Sequence, residues 1–483
     1  MNVRTISLGC LLASIVFIAR GSVAAEPSSR PNILFIFADD QTYESIHALG
    51  NDEIETPNLD KLVRTGTTLT HAYNQGGFHG AVCVASRTML VSGRYLWHAQ
   101  QLEATIKQPE ETDRLWPRLM KKQGYDTYFT GKWHIKADAN QVFDVAQHIR
   151  GGMPKQTPEG YNRPIEGQPD KWSPSDPKFG GFWEGGKHWS EVVKDDAIGY
   201  LETAAKSNNP FFMYIAFNAP HDPRQSPQEY VDRYPLSKVK VPSNFLPLYP
   251  YMDAIGNGKS LRDEALAPFP RTEYAVKVNR QEYYAIITHM DHQIGLILEA
   301  LKKTGQEGNT YIFFTADHGL SCGHHGLLGK QNMFDHSMRV PLIVVGKGVE
   351  AGARIDTPVY LQDIMPTALE LAGSSIPEHV KFRSLLPVLS GQRHEQYDAI
   401  YGAYREDMQR MITDDGYKLI LYPKVPKVLL FDLENDPSEQ QDIADVSEQQ
   451  ARIKSMFEKL RSLQVETGDA LDLAAAFPML ASQ

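Results

Sequence analysis

Apolar residues gather in short runs along this chain, and each run gives way at once to polar ones. Residues 32–38 (NILFIFA) end in Asp39-Asp40, residues 211–217 (FFMYIAF) lead to Asn218-Ala219-Pro220-His221, and residues 310–315 (TYIFFT) lead to Asp317-His318. Residues 125–130, aromatic and β-branched, stop at Gly131-Lys132-Trp133-His134, and residues 340–345 form a further run. Continuous runs of this length predict strands covered on both faces, as in a parallel sheet. The C-terminal ends of such strands are where open α/β sheets bind ligands.

Helical spacing fills the intervals. Thr56-Pro57 opens a helix carrying Leu59, Leu62 and Val63, and Gly66 closes it. Trp116, Leu119 and Met120 predict a second, ending at Gly124. Residues 272–303 predict a long one, with Tyr284, Ile287, Met290, Asp291, Ile294, Ile297 and Leu298 at helical spacing, and residues 361–373 another. Residues 136–190, rich in Gly, Pro, Trp and charge, read as a long ordered loop region, and residues 225–270 as a Pro-rich excursion. From about Glu395 the pattern changes to short strands at 411–413, 418–422 and 429–433, then a helix over 447–463. The expected fold class is α/β, with a mostly parallel sheet in a main domain at 26–394 and a smaller α+β subdomain on a short antiparallel sheet at 395–483.

Composition narrows the function. With 483 residues, 42% of them hydrophobic, the chain can bury a large core and is not a disordered protein. Arg4, an apolar stretch at 6–19 and Val23-Ala24-Ala25 read as a secretory signal over 1–25, so the expected chain is exported, periplasmic or secreted, and starts near Glu26. The apolar stretch is too short for a stable membrane anchor. The formal net charge of −10 becomes more acidic once Arg4 and Arg20 are removed, which excludes a nucleic-acid binder and requires a local basic pocket for any anionic substrate. Cys83 and Cys322 alone remain beyond the leader, so the fold is not a disulfide-stapled scaffold.

One stretch concentrates chemistry. A Gly-rich loop from Gly76 delivers Cys83 to the first turn of an expected helix, where free amides and the helix dipole favour negative charge, and Arg87 lies one turn on. A lone Cys in such a segment reads equally well as a small buried hydrophobe. Cys83-Val84-Ala85-Ser86-Arg87, however, resembles the Cys-x-Pro/Ala-Ser-Arg signature of the type I sulfatases, whose Cys is oxidised to formylglycine. Gly131-Lys132-Trp133-His134 resembles their second signature, and the likeness runs from Pro31 to about Asp442.

That resemblance implies the alkaline phosphatase superfamily fold, with a large mixed sheet sandwiched by helices. It implies one calcium ion bound by Asp39, Asp40, Asp317 and His318 together with the modified Cys83, His318 standing where many members have Asn. Hydrated formylglycine at 83 would attack sulfur, Arg87 would stabilise charge, and His221 would protonate the leaving oxygen. Lys330 would grip a sulfate oxygen, His134 would take a proton from the second hydroxyl, and Lys132 would orient the hydrate. A formylglycine-generating maturation enzyme is an implied partner.

The two long excursions, their aromatics and the expected export favour a sulfated oligosaccharide or polysaccharide as substrate. His79, His98, Trp183, His188, Arg224, His324 and Arg405 are the candidate sugar contacts, while Trp172, Trp183 and Trp189 are expected to anchor the loop as well. The alternatives are a phosphodiesterase or phosphonate monoester hydrolase of the same superfamily, or a glycan-binding protein if Cys83 stays unconverted.

Overall fold

A computed structural model of the chain describes Met1 and residues 30–153, 156–181 and 183–481, so the expected leader, Met1 apart, lies outside the described residues. In chain order the strands are β1 (Asn32–Asp39), β2 (Thr67–Tyr73), β3 (Gly76–Gly77), β4 (Asp126–Lys132), β5 (Val145–Arg150), β6 (Trp183–Glu184), β7 (Lys187–His188) and β8 (Phe211–Pro220). They continue with β9 (Thr310–Ala316), β10 (Arg339–Val345), β11 (Arg354–Ile355), β12 (Val359–Tyr360), β13 (Ile400–Tyr404), β14 (Gln409–Asp414), β15 (Tyr417–Tyr422) and β16 (Lys427–Asp432).

The main sheet runs β11-β2-β10-β9-β1-β8-β4-β5, with β12 also on β2. Strand β1 sits at its centre, parallel to both β8 and β9, and β4 and β5 extend the parallel half. Only β10 turns antiparallel, against β9 and β2. Every residue of β1 is buried, because helices cover both faces. One group comprises Pro57–Thr65, Trp189–Ala204 and Glu273–Lys303, and the other Val82–Ser92, Trp116–Lys122 and Ile364–Leu371. Trp116 meets Phe35 of β1 edge-on at 5.3 Å. Asp291 is buried on the long helix because it accepts from the Leu59 and Asn58 amides, at 2.7 and 3.1 Å, and so caps the start of Pro57–Thr65.

The structure departs from the sequence expectation in two places. Residues 136–190 are not all loop: β5 adds an edge strand to the sheet, a β6–β7 hairpin follows, and a helix begins at Trp189. The side chains of β5 are exposed or half-buried with no apolar alternation, so periodicity carried no trace of it. Two tryptophans do anchor this region: Trp172 lies under the Arg163 guanidinium and Trp189 under that of Arg150.

The second departure concerns the C-terminal sheet, ordered β16-β15-β14-β13-β3. Its fourth strand, β13, was not expected, and its fifth is Gly76–Gly77, far upstream in sequence and parallel to β13. Gly76 has φ +93°, and a Cβ there would lie 2.0 Å from the Ala403 carbonyl oxygen, so only glycine fits this seam. Buried Lys418 of β15 bridges Asp335 and Glu439, and Ile453, Met456, Phe457 and Leu460 seat the helix Gln450–Thr467. No helix among the described residues is long and apolar enough to cross a membrane.

Candidate active site

Strand pairing assembles the site. Ala38 of β1 is in register with Ala316 of β9, so Asp39-Asp40 and Asp317-His318 leave the sheet side by side. The Asp317 carboxylate accepts from the Asp40 and His318 amides, both at 3.1 Å, which locks the two turns together. In β4 the register slips between Thr130 and Gly131. Gly131 has φ +97°, and a Cβ there would meet the Ala216 oxygen at 1.8 Å. This bulge directs Lys132 onto the Asp39 carboxylate. The chain then turns at His134, whose φ is +54°, rather than running on extended. Both side chains still converge: His134 Nδ1 lies 3.2 Å from Cys83 Sγ.

Cys83 occupies the first turn of the helix Val82–Ser92, which has no side-chain cap at its N-terminus. Arg87, fully buried one turn on, donates through Nε to Asp317 Oδ2 at 3.0 Å and through Nη1 to the Lys132 carbonyl at 2.6 Å. Its Nη2 is buried without a hydrogen-bond partner, 3.6 Å from Asp39 Oδ1. Lys330, from the loop after β9, holds both oxygens of Asp40. His221, past the end of β8, places Nδ1 2.8 Å from the Asp222 carbonyl and 3.1 Å from Asp222 Oδ1. The proton on Nδ1 is thereby fixed, and Nε2 faces Arg262 Nη2 at 3.4 Å and Asp40 Oδ2 at 3.6 Å.

Burial alone would raise the Cys83 thiol, but Lys132, His134 and Lys330 outweigh it and hold the group well below its ordinary value. Burial also pushes the Asp39 carboxyl well up, helped by Asp317 and Asp40 and opposed by Lys132 and Arg87. The three buried carboxylates of Asp39, Asp40 and Asp317 share Lys132, Lys330 and Arg87 as counter-charges.

A divalent cation fits the donor atoms left over. Donor atoms of Asp39, Cys83, Asp317 and His318 all lie within 4.8 Å of one another. Asp39 Oδ1 and His318 Nε2 are buried without hydrogen-bond partners. His318 Nδ1 lies 2.8 Å from the Gly319 oxygen, an arrangement that leaves the Nε2 lone pair for a metal. Asp40 Oδ1 approaches the same Nε2 at 3.2 Å.

The family model "Sulfatase" matches residues 31–374, most of the chain. The chain belongs to the sulfatase family. A second model, for the N-sulphoglucosamine sulphohydrolase C-terminal region, matches residues 323–466 of this sulfatase. It is 24% identical to an N-acetylglucosamine-6-O-sulfatase of Bacteroides thetaiotaomicron, over 95% of this chain and 90% of that one. It is 25% identical to an ulvan-active sulfatase of Formosa agariphila, over 92% and 83%. Among solved structures, one bound to its substrate D-glucosamine-2-N,6-O-disulfate superposes with a TM-score of 0.72 at 22% identity, covering 92% of this chain and 99% of that one. The phosphonate monoester hydrolase of Agrobacterium radiobacter shares the fold too, with a TM-score of 0.71 at 21% identity over 91% and 96%.

The sulfatase pocket over Cys83 has a volume of about 270 Å³. Cys83, His134, His221 and Lys330 line it, joined by Arg262, Asp263 and Gln331, which sequence reasoning missed. Arg262 sits in the Pro-rich excursion with no local pattern around it, and Asp222 follows His221 directly in sequence. Of the candidate sugar contacts, half-buried His79 accepts from the Ala81 amide at 3.2 Å, next to the pocket wall, and Arg405 abuts Gly80. Trp183 is on the β6–β7 hairpin, edge-on to His188.

Four candidates are taken up by packing instead, which corrects the expectation that they face a sugar. Buried His188 caps the helix Trp189–Ala204 through the Ser190 amide and donates to the Gln225 oxygen. Arg224 is buried against Asn279 and the Tyr283 ring. His324 faces Asn244 Oδ1 and stacks near His336, and His98 abuts Gly468.

Proposed function

We propose that this sulfatase removes sulfate from a sulfated oligosaccharide or polysaccharide, with residue 83 oxidised from cysteine to formylglycine and a calcium ion held by Asp39, Asp40, Asp317 and His318 together with the modified residue 83. The observation that carries the reading is the convergence of Lys132, His134 and Lys330 on one buried Sγ at a helix start, with Arg87 a turn away. The Sγ stands where the oxygen of the oxidised side chain would be. The hydrated aldehyde supplies a hydroxyl nucleophile, and the cation a Lewis acid for a sulfate oxygen.

The protein's own groups do the rest. Arg87 offers its unpartnered Nη2 to charge developing on sulfate. Lys330 turns from Asp40 to a sulfate oxygen, and Lys132 keeps Asp39 in place. His134 takes a proton at the residue 83 side chain through Nδ1. His221 in its charged form, its Nδ1 proton held by Asp222, gives its Nε2 proton to the departing sugar oxygen and is left neutral. Relatives named for N-acetylglucosamine sulfate and ulvan support a carbohydrate ester. The leader at 1–25 supports export to the periplasm or beyond, and the Cys83 signature supports maturation by a formylglycine-generating enzyme.

The test pairs mass with turnover. From protein made with a formylglycine-generating system, the tryptic peptide bearing residue 83 is expected to lose sulfur and gain an aldehyde oxygen. Sulfate release is then screened on sulfated saccharides against matched phosphate and phosphonate esters. Faster cleavage of the phosphorus esters would shift the assignment to a phosphonate or phosphodiester hydrolase, and an unconverted, inactive chain to glycan binding.

A further inference from the structure

Arg262 lines the pocket and Arg405 lies against its Gly80 wall, and they differ in what neutralises them. Arg262 is saturated: Nη1 donates to Asp222 Oδ2 at 2.9 Å, and Nη2 to Asp263 Oδ1 at 2.6 Å and Asp222 Oδ1 at 3.2 Å. Asp263 is itself shared with Gln331, at 2.7 Å. This edge sets one guanidinium against two carboxylates, and its paired groups suit sugar hydroxyls. Glu264 fixes it in register with the Lys330 loop by accepting from the Leu328 and Gly329 amides, at 3.0 and 2.9 Å.

Arg405 is different. Its guanidinium reaches the Gly80 wall of the pocket, where a Cβ built on Gly80 would lie 3.5 Å from Nη2. It has no carboxylate partner among the described residues, its Nε is buried without a hydrogen bond, and the Tyr404 ring centroid lies 5.5 Å from its guanidinium. The backbone holds it there firmly. Arg405 has φ +52°, rare for an L side chain, with its amide on the Gly77 oxygen at 2.8 Å and its carbonyl on Arg410 Nη1 at 2.8 Å. Arg410 is in turn clamped by Asp469. A strained residue gripped from both sides, presenting an unpaired fork at a pocket wall, is a placed recognition group.

We propose that Arg405 receives a second anionic group of the substrate, a carboxylate or a further sulfate, so that the substrate class is a polyanionic saccharide rather than a singly sulfated one. The proposal rests on the sulfatase reading of the pocket. A guanidinium meets either anion with two parallel hydrogen bonds, and a half-buried cation without a counter-charge gains more from that contact than Arg262, already paired twice.

Binding separates this from turnover. The Cys83→Ala protein is titrated calorimetrically with D-glucosamine-6-O-sulfate and D-glucosamine-2-N,6-O-disulfate, and the double variant Cys83→Ala/Arg405→Gln likewise. The second sulfate is expected to tighten binding about tenfold when Arg405 is present, the scale of one charged hydrogen-bonded pair, and to add nothing with Gln. Arg405→Lys, which keeps the charge and loses the fork, retains part of the gain; if the Gln variant does not fold, this variant decides, and an undiminished gain overturns the proposal. No gain with Arg405 present, or an equal gain with Gln, overturns it as well. Failure of the converted wild type to release sulfate from either sugar, with the binding gain intact, overturns the sulfatase reading alone.

Discussion

Lys330 Nζ lies 2.9 Å from Oδ1 and 2.7 Å from Oδ2 of Asp40, a carboxylate that also approaches His318 Nε2 at 3.2 Å. The lysine assigned to grip sulfate thus competes with the cation for one carboxylate. Lys330→Ala is expected to lower kcat/KM for sulfate esters about 100-fold, as for loss of one preorganised charge donor, while calcium affinity holds or tightens. Steady-state kinetics and a calcium titration read the two effects; weaker calcium binding would make Lys330 a builder of the site instead.

Removing the cation is expected to cost stability as well as activity. Asp39, Asp317 and His318 cluster in the core, where Asp39 Oδ1 and His318 Nε2 are buried without hydrogen-bond partners. A chelator should lower the melting temperature, and calcium at about a hundred times its dissociation constant should restore about 2.7 kcal/mol. An identical melting curve with and without chelator would remove the cation from this cluster.

His221→Ala should hurt poor leaving groups most. Aryl sulfates leave without much protonation, whereas a sugar alkoxide needs the proton on Nε2, so a loss of about 100- to 10,000-fold is expected on sugar sulfates and a smaller one on aryl sulfates. Equal losses would assign His221 to binding.

A pH effect is expected far from the catalytic groups. Burial pushes His325 down to about 4, although its Nε2 lies 2.9 Å from the Glu439 oxygen; Lys418 also lowers it, Asp436 raises it, and the ring stacks on Phe334. The unfolded chain takes up a proton near 6.5 that the folded chain refuses. Stability from this residue is therefore whole above about 6.5 and lost as pH falls toward 4, by about 3 kcal/mol. Thermal melts between pH 7 and 4.5 should show a shallower decline for His325→Gln than for wild type.

What the sequence revealed follows from what was local. The buried strands β1, β8 and β9 showed themselves because residues covered on both faces must be apolar throughout, and each handed over its polar residues within two or three positions. The Cys83 helix and the Lys132-Trp133-His134 turn carried recognisable spacing. Strand β5 did not, since an exposed edge needs no apolar alternation. Arg262 and Asp263 reach the pocket only through the fold of the Pro-rich excursion, held there by Glu264, and nothing around them in sequence marks that destination. His188 misled for the opposite reason: a histidine near aromatics looks like a sugar contact until the helix it caps is seen.

The pairing of Gly76–Gly77 with β13 also sets a timetable for the chain. Cys83 is 2% exposed in the finished fold, so an enzyme that oxidises it has no access once the structure closes. The strand that seals the loop is synthesised long after Cys83, when nearly all of the main sheet has already been made. If Cys83 is oxidised as proposed, that chemistry has to precede closure of the fold. On that proposal, any substitution that hastens closure of the β3–β13 seam would shorten the interval in which residue 83 can be oxidised, without touching the finished active site.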